Sequence, residues 1–265
     1  MRKLLHEAQE LPQILLDLDP KFGGPVQHDD FPSVTLGWLR TAAVLQYQAV
    51  VTLLAHPTCA SEAELLLRPL LESFAHTVWI DEGVAGGGNR TARCCAVCLE
   101  FGIAQYRLGS LPGMRGLAAH EREELATGIR ERVEQLRQLH AAEGCTCRGR
   151  RYSAAKTTID TLSSMDARYD ALCQQWDWSS SGLHVFEPNR MYRRLPDGNA
   201  LIGAPIRPGW RATMLTLVIN VLSELGSRTL RVQGVAPEAQ ARLTYWSAEF
   251  LERPPLRNAL RGEFE

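Results

Sequence analysis

The chain has 265 residues, 29 Lys and Arg against 30 Asp and Glu, and a net charge of -1; hydrophobic residues make up 45% and charged residues 22%. These are the proportions of an ordinary globular protein, and they exclude a disordered tail, a collagen-like repeat and a small disulfide scaffold. The balanced charge also excludes a protein that finds nucleic acid or membranes by bulk attraction, and leaves open only a local basic patch.

The first helical pattern covers 2–18, with Leu4, Leu5, Leu11, Ile14, Leu15 and Leu18 apolar, and Pro12 is expected to kink or split it. His6 and Glu7 interrupt the opening apolar run, so no secretory signal is expected. A Pro-, Gly- and Asp-rich loop over 19–32 leads to Ser33, which can cap a helix reaching about Ala55. That helix is apolar nearly all round and is expected in the middle of a bundle. Thr41 to Ser61 holds no charge, but Gln46, Gln48, His56 and Pro57 argue against a membrane span. A cytoplasmic chain with no membrane partner is the expectation.

Ser61 and Glu64 form a capping box for a third helix running to about Ile80, before the Gly-rich stretch Val84–Asn89. On it Arg68, Glu72 and His76 fall four residues apart, in line with Leu65 and Trp79, while Pro69 and Ser73 are expected nearer solvent. Arg68 and Glu72 read first as an ion pair worth a few tenths of a kcal/mol, and second as a polar site inside a bundle.

A fourth helix is expected over about 90–109, and a charged fifth over about 116–142, whose narrow apolar stripe is Leu117, Leu125, Ile129, Val133 and Leu136. Residues 144–152 read as a loop, followed by shorter helices near 154–164 and 167–177. Residues 185–209 are irregular, with a short hairpin around Asp197–Gly198. The last two helices cover about 210–225, with Gly226 as C-cap, and 236–252, with Pro237 in its first turn. Strand signals are otherwise almost absent. The expected fold is all-α: one bundle of seven to nine helices in a single domain over 1–265, its core over about 35–225, with the terminal helices packed on it.

Seven cysteines, an odd number, favour free thiols in a reducing compartment. Cys94, Cys95 and Cys98 with Cys145 and Cys147 would offer thiolates to zinc, but the spacing is not that of a zinc ribbon. The plainer reading makes the first three small apolar residues of a helix, and no metal or cofactor is expected.

Two further groups can carry chemistry. Ser181-Gly-Leu-His184 follows Trp176 and Trp178; His184 suits a general base, and Ser181 can orient it or cap a helix. Arg148, Arg150 and Arg151 beside Tyr152 can grip phosphate, with Arg190, Arg193 and Arg194 adding to them; the plainer reading is a solvated loop. No Gly-x-Ser-x-Gly elbow is present.

The order Leu67-Arg68-Pro69-Leu70-Leu71-Glu72, then Tyr169-Asp-Ala-Leu172, then Ser181-Gly-Leu-His184 resembles an uncharacterised, mainly bacterial, all-helical domain-of-unknown-function family, over about 35–225. The resemblance implies a bundle in which Arg68, Glu72 and His184 come together. It also carries a distant likeness to HEPN domains, ribonucleases of defence systems with an Arg-x(4–6)-His motif, whose spacing Arg115 and His120 match, though Gly116 stands where those motifs place a polar residue. Two functions follow as expectations. The first is an interaction or regulatory and defence module with a polar site inside the bundle, and with a protein partner or a second copy of itself. The second is a metal-independent ribonuclease or phosphodiesterase acting on RNA, with Arg68, Glu72, Ser181 and His184 catalytic and Arg148, Arg150 and Arg151 binding substrate.

Overall fold

A computed structural model describes residues 1–18, 31–56, 60–85, 90–91, 93–98, 118–143, 146–147, 150–151, 192–194, 200–202 and 208–262. The fold is all-α. Eight α-helices occur among these residues: α1 (Arg2–Ala8), α2 (Glu10–Leu18), α3 (Phe31–Ala55), α4 (Ala63–Ala85), α5 (Ala119–Glu143), α6 (Pro208–Val232), α7 (Pro237–Leu251) and α8 (Pro254–Arg261). Residues 93–98 are also helical. Two short antiparallel ribbons join them: β1 (Thr146–Cys147) with β2 (Arg150–Arg151), and β3 (Tyr192–Arg194) with β4 (Ala200–Ile202). The second ribbon flanks Asp197–Gly198, where a hairpin is expected. The first replaces part of the loop expected over 144–152. The helices expected near 154–164 and 167–177 lie outside the described residues.

Side-chain pairings fix the helix directions. Ser73 of α4 meets Gln46 of α3, and the guanidinium of Arg211, early in α6, donates to the carbonyl of His56, just past α3. At the opposite end Arg40 of α3 donates to Gln233, just past α6. The indole N–H of Trp210 donates to Glu64, so α4 and α6 start together. Hence α3 runs antiparallel to both α4 and α6, and those two run parallel. One apolar core joins them through Tyr47, Leu67, Phe74, Leu215 and Leu222, each fully buried. Leu5 of α1, Leu15 of α2, Leu243 of α7 and Leu256 of α8 belong to the same core. The terminal helices are therefore part of the core, which is wider than the expected 35–225; each buried Leu contributes about 1.5–3 kcal/mol.

Packing bears on three local expectations. The first helix is split, as Pro12 predicts: the break falls at Gln9, and Pro12 sits in the first turn of α2. In an unbroken helix the residue at 12 would donate its N–H to the Ala8 carbonyl, and proline has none. The buried Tyr47 hydroxyl donates to that carbonyl instead, at 2.8 Å. Burial pushes the Tyr47 phenol pKa well upward, so it stays protonated and able to donate.

Gly226 is not a C-cap, because α6 runs through it to Val232. A Cβ there would overlap a Leu15 methyl and lie 2.9 Å from one of Leu243. This glycine lets α2 and α7 approach α6, and the turn glycine is Gly234, at φ +73°. Pro237 opens α7 as expected, and a further helix, α8, opens on Pro254 and ends at Gly262, at φ +76°.

The third expectation concerns which helix is central. α3 starts at Phe31, ahead of Ser33, with Pro32 in its first turn. It is not enclosed all round: Val34, Trp38 and Leu45 are exposed. The enclosed stretch is the C-terminal half of α4, where every residue from Ser73 to Asp81 is buried. α4 itself begins at Ala63, after a 3-10 turn over Ala60–Glu62 in which Ser61 lies.

Candidate functional site

α4 carries the polar line read from the sequence, and the structure divides it into a wet end and a dry end. At the wet end Arg68 Nε donates to Glu72 Oε1 at 2.9 Å, with 25% and 33% of the two side chains exposed. Leu65, Arg68, Pro69 and Glu72 make the outward face of this half. The face closes at Ser73, which was expected near solvent and is buried; its hydroxyl donates to the Pro69 carbonyl at 3.0 Å, with Gln46 Oε1 at 3.4 Å. The reason is α3, which lies against this side of α4.

One turn on, His76 is enclosed, and burial lowers its pKa to about 4. It is neutral at pH 7 and shut off from solvent, so it suits packing and hydrogen bonding better than proton exchange with a substrate.

The dry end holds a charge cluster that sequence reasoning missed. Asp81, 7% exposed, accepts from Arg228 Nη1 at 3.0 Å and also pairs with Arg231 of α6. Arg228, 11% exposed, also donates through Nη2 to Glu224 Oε1 at 2.9 Å. Arg231 sits in the last turn of α6, where a cation is favoured by the helix dipole. Trp79 and Ile80, next to Asp81 in α4, belong to a second apolar group with Leu36, Leu39, Cys94, Ala96 and Val97. Arg93 closes the layer, donating to the Trp79 carbonyl at 2.7 Å with its guanidinium 4.8 Å from the centre of the indole. The only local signal for the cluster was the i,i+4 spacing of Glu224 and Arg228; Asp81 pairs with residues 147 and 150 positions away.

The cysteine stretch is the third group. Cys94 and Cys95 are buried, Cys98 is half-buried, and all three are free thiols. Thr35 Oγ1 lies 3.6 Å from Cys98 Sγ. Cys95 packs with Val133 of α5, and Cys98 and Ile129 lie against them. Cys147 lies in β1, opposite Arg150, and Cys145 lies outside the described residues. Among the described residues no group of three or more His, Cys, Asp and Glu side chains is placed to hold a metal ion.

Of the other expected site residues, Arg150 and Arg151 form β2, and Arg193 and Arg194 lie in β3. Ser181, His184, Arg148, Arg190 and Arg115 lie outside the described residues, and so does any meeting of Arg68 and Glu72 with His184. His120 is exposed in the first turn of α5.

Among the described residues, the main exposed apolar feature is on α3. Val34, Trp38 and Leu45 are exposed by 38%, 45% and 61%, and at about 100° per residue they fall within roughly 40° of one another. Thr41, Gln48 and Thr52 continue the stripe, which carries no charge. No described helix is long and apolar enough to cross a membrane. No family model matches the chain, and neither curated proteins nor solved structures hold a match to it.

Proposed function

We propose that the chain is a helical interaction module that binds a protein partner through the outer face of α3. The carrying observation is the uncharged stripe Val34, Trp38 and Leu45 on a helix otherwise packed into the core. Exposed apolar residues scattered singly need no explanation, but a contiguous stripe holding a Trp is the composition of a binding surface. The rigid three-helix backing supports the reading, because a preformed face loses little entropy on docking. The free buried thiols support a reducing compartment such as the cytoplasm, and the regulatory or defence setting rests on the family resemblance alone.

The test is a photo-crosslinking residue placed at Trp38 and at Leu45 in the source cells, with the exposed Tyr245 of α7 as control. The expected result is one protein adduct formed from both stripe positions, absent from the control and lost on Val34→Glu. Equal labelling from all three positions would overturn the proposal.

A second reading, a metal-independent nuclease, draws on the solvent access of the Arg68–Glu72 pair, which leaves Arg68 able to meet a phosphate. His184 would serve as its base. RNA cleavage by purified protein, lost on His184→Ala with helicity retained, would favour this reading over the module.

A further inference from the structure

We propose that Cys98 and Cys94 form a reversible disulfide, with Cys98 as the thiol that meets a small-molecule disulfide oxidant and Cys94 as the thiol that resolves it. Three observations place the pair. Both lie on the helical stretch 93–98, four positions apart, which sets their Cα atoms about 6 Å apart, within the roughly 4.4–6.8 Å that a disulfide spans. Both face the start of α3: Cys98 Sγ lies 3.6 Å from Thr35 Oγ1, and Cys94 belongs to the apolar group of Leu36 and Leu39. Their exposure is unequal, since Cys98 reaches the surface and Cys94 is enclosed.

Unequal exposure assigns the order of events. The Cys98 thiolate attacks one sulfur of the oxidant, and the other half leaves as a thiolate. The Cys94 sulfur then attacks Cys98 Sγ and displaces the second half. Two protein thiols are oxidised to one disulfide, the oxidant is reduced to two thiols, and the two cysteine protons end on them. Burial and the neighbouring Cys98 and Cys95 hold the Cys94 thiol protonated, while Thr35 and Arg90 favour its thiolate. The bond requires the Cβ atoms to close from the helical separation of about 5–6 Å to about 3.8 Å, so the stretch tightens about Cys98. That residue lies against the Cys95–Val133 contact that seats α5.

Cys95 is the competing resolver, three positions from Cys98 and equally buried. Trypsin releases all three cysteines in one peptide, residues 94–107. The full chain is therefore equilibrated with oxidised glutathione, alkylated, digested and weighed, in the wild type and in Cys94→Ser and Cys95→Ser, with helicity checked for each. The expected wild-type peptide carries one alkyl group and a disulfide that dithiothreitol opens. Cys95→Ser keeps the disulfide, and Cys94→Ser stops at a glutathione adduct on Cys98. Three alkylated thiols in oxidised wild type, or a bridge lost in Cys95→Ser and kept in Cys94→Ser, would overturn the proposal. Should Cys94→Ser lose helicity, Cys98→Ala serves in its place, and an adduct on Cys94 in that variant counts equally against the assigned order.

Discussion

The two ends of α4 hold the same chemistry in opposite surroundings. At one end Arg68 and Glu72 pair within a single helix and within reach of water. Roughly two and a half turns on, Asp81 pairs with Arg228 across two helices, with both side chains close to fully buried. Distances are alike, 2.9 Å and 3.0 Å, so geometry does not separate them; solvent does. Water screens the first pair and would solvate either partner left alone. It cannot reach the second freely, so each charge there depends on the other. The first pair is thus nearly optional, and the second is a clamp holding the C-terminal ends of α4 and α6 together.

Removing one partner from each end is the strongest way to break this contrast. Arg228→Met leaves Asp81 buried with only the more exposed Arg231 beside it, and is expected to cost about 3 kcal/mol, read as a lower urea midpoint. Removing both charges, with Asp81→Leu added, is expected to restore most of that loss, because the cost comes from the uncompensated charge. A single-variant loss under about 1 kcal/mol would place the buried cluster in the same class as a surface pair.

His76, between the two ends, sharpens the comparison through pH. Its pKa falls from about 6.5 when unfolded to about 4 in the fold. Above pH 6.5 both states hold it neutral and it adds no pH dependence. Between pH 6.5 and 4 the unfolded chain takes up a proton that the folded chain refuses, so stability falls as pH falls, by up to about 1.4 kcal/mol per unit. His76→Gln is expected to flatten this part of the profile, measured by urea unfolding at successive pH values. An unchanged slope would show that water reaches the middle of α4.

What the sequence reveals follows the same division. Patterns confined to one helix are legible: α3, α5 and α7 lie close to their expected places, and Arg68 and Glu72 pair as their spacing implies. The paired strands β3 and β4, which flank Asp197–Gly198, belong to the same class, since a turn signal is local. Features decided by a distant neighbour are not legible. Gly226 reads as a cap and serves a crossing with Leu15 and Leu243. Pro12 marks the split in the first helix, but nothing near it shows that Tyr47 of α3 satisfies the Ala8 carbonyl there. Ser73 reads as exposed and is covered by α3. Asp81 gave no sign of its partners, because nothing near residue 81 encodes residues 228 and 231. Of the candidate site, the Arg68–Glu72 half was read from spacing, and the exposed stripe on α3 was hidden because an apolar helix looks the same whether buried or displayed.

The smallest expected effect tests the wet end directly. Arg68→Met removes the cation and keeps most of the stem that packs along α4. Glu72 then turns to water, which the half-exposed pair already meets. The expected loss is about 0.3–0.5 kcal/mol, and it should shrink further in high salt, where surface pairs are screened. Arg228→Met should respond much less to salt, since ions do not enter its surroundings. A loss at Arg68 above about 2 kcal/mol, insensitive to salt, would mean that Glu72 is left without water. That result would place a covered ion pair at this end too, out of reach of a phosphate, and would weigh against the nuclease reading, which draws on the solvent access of Arg68.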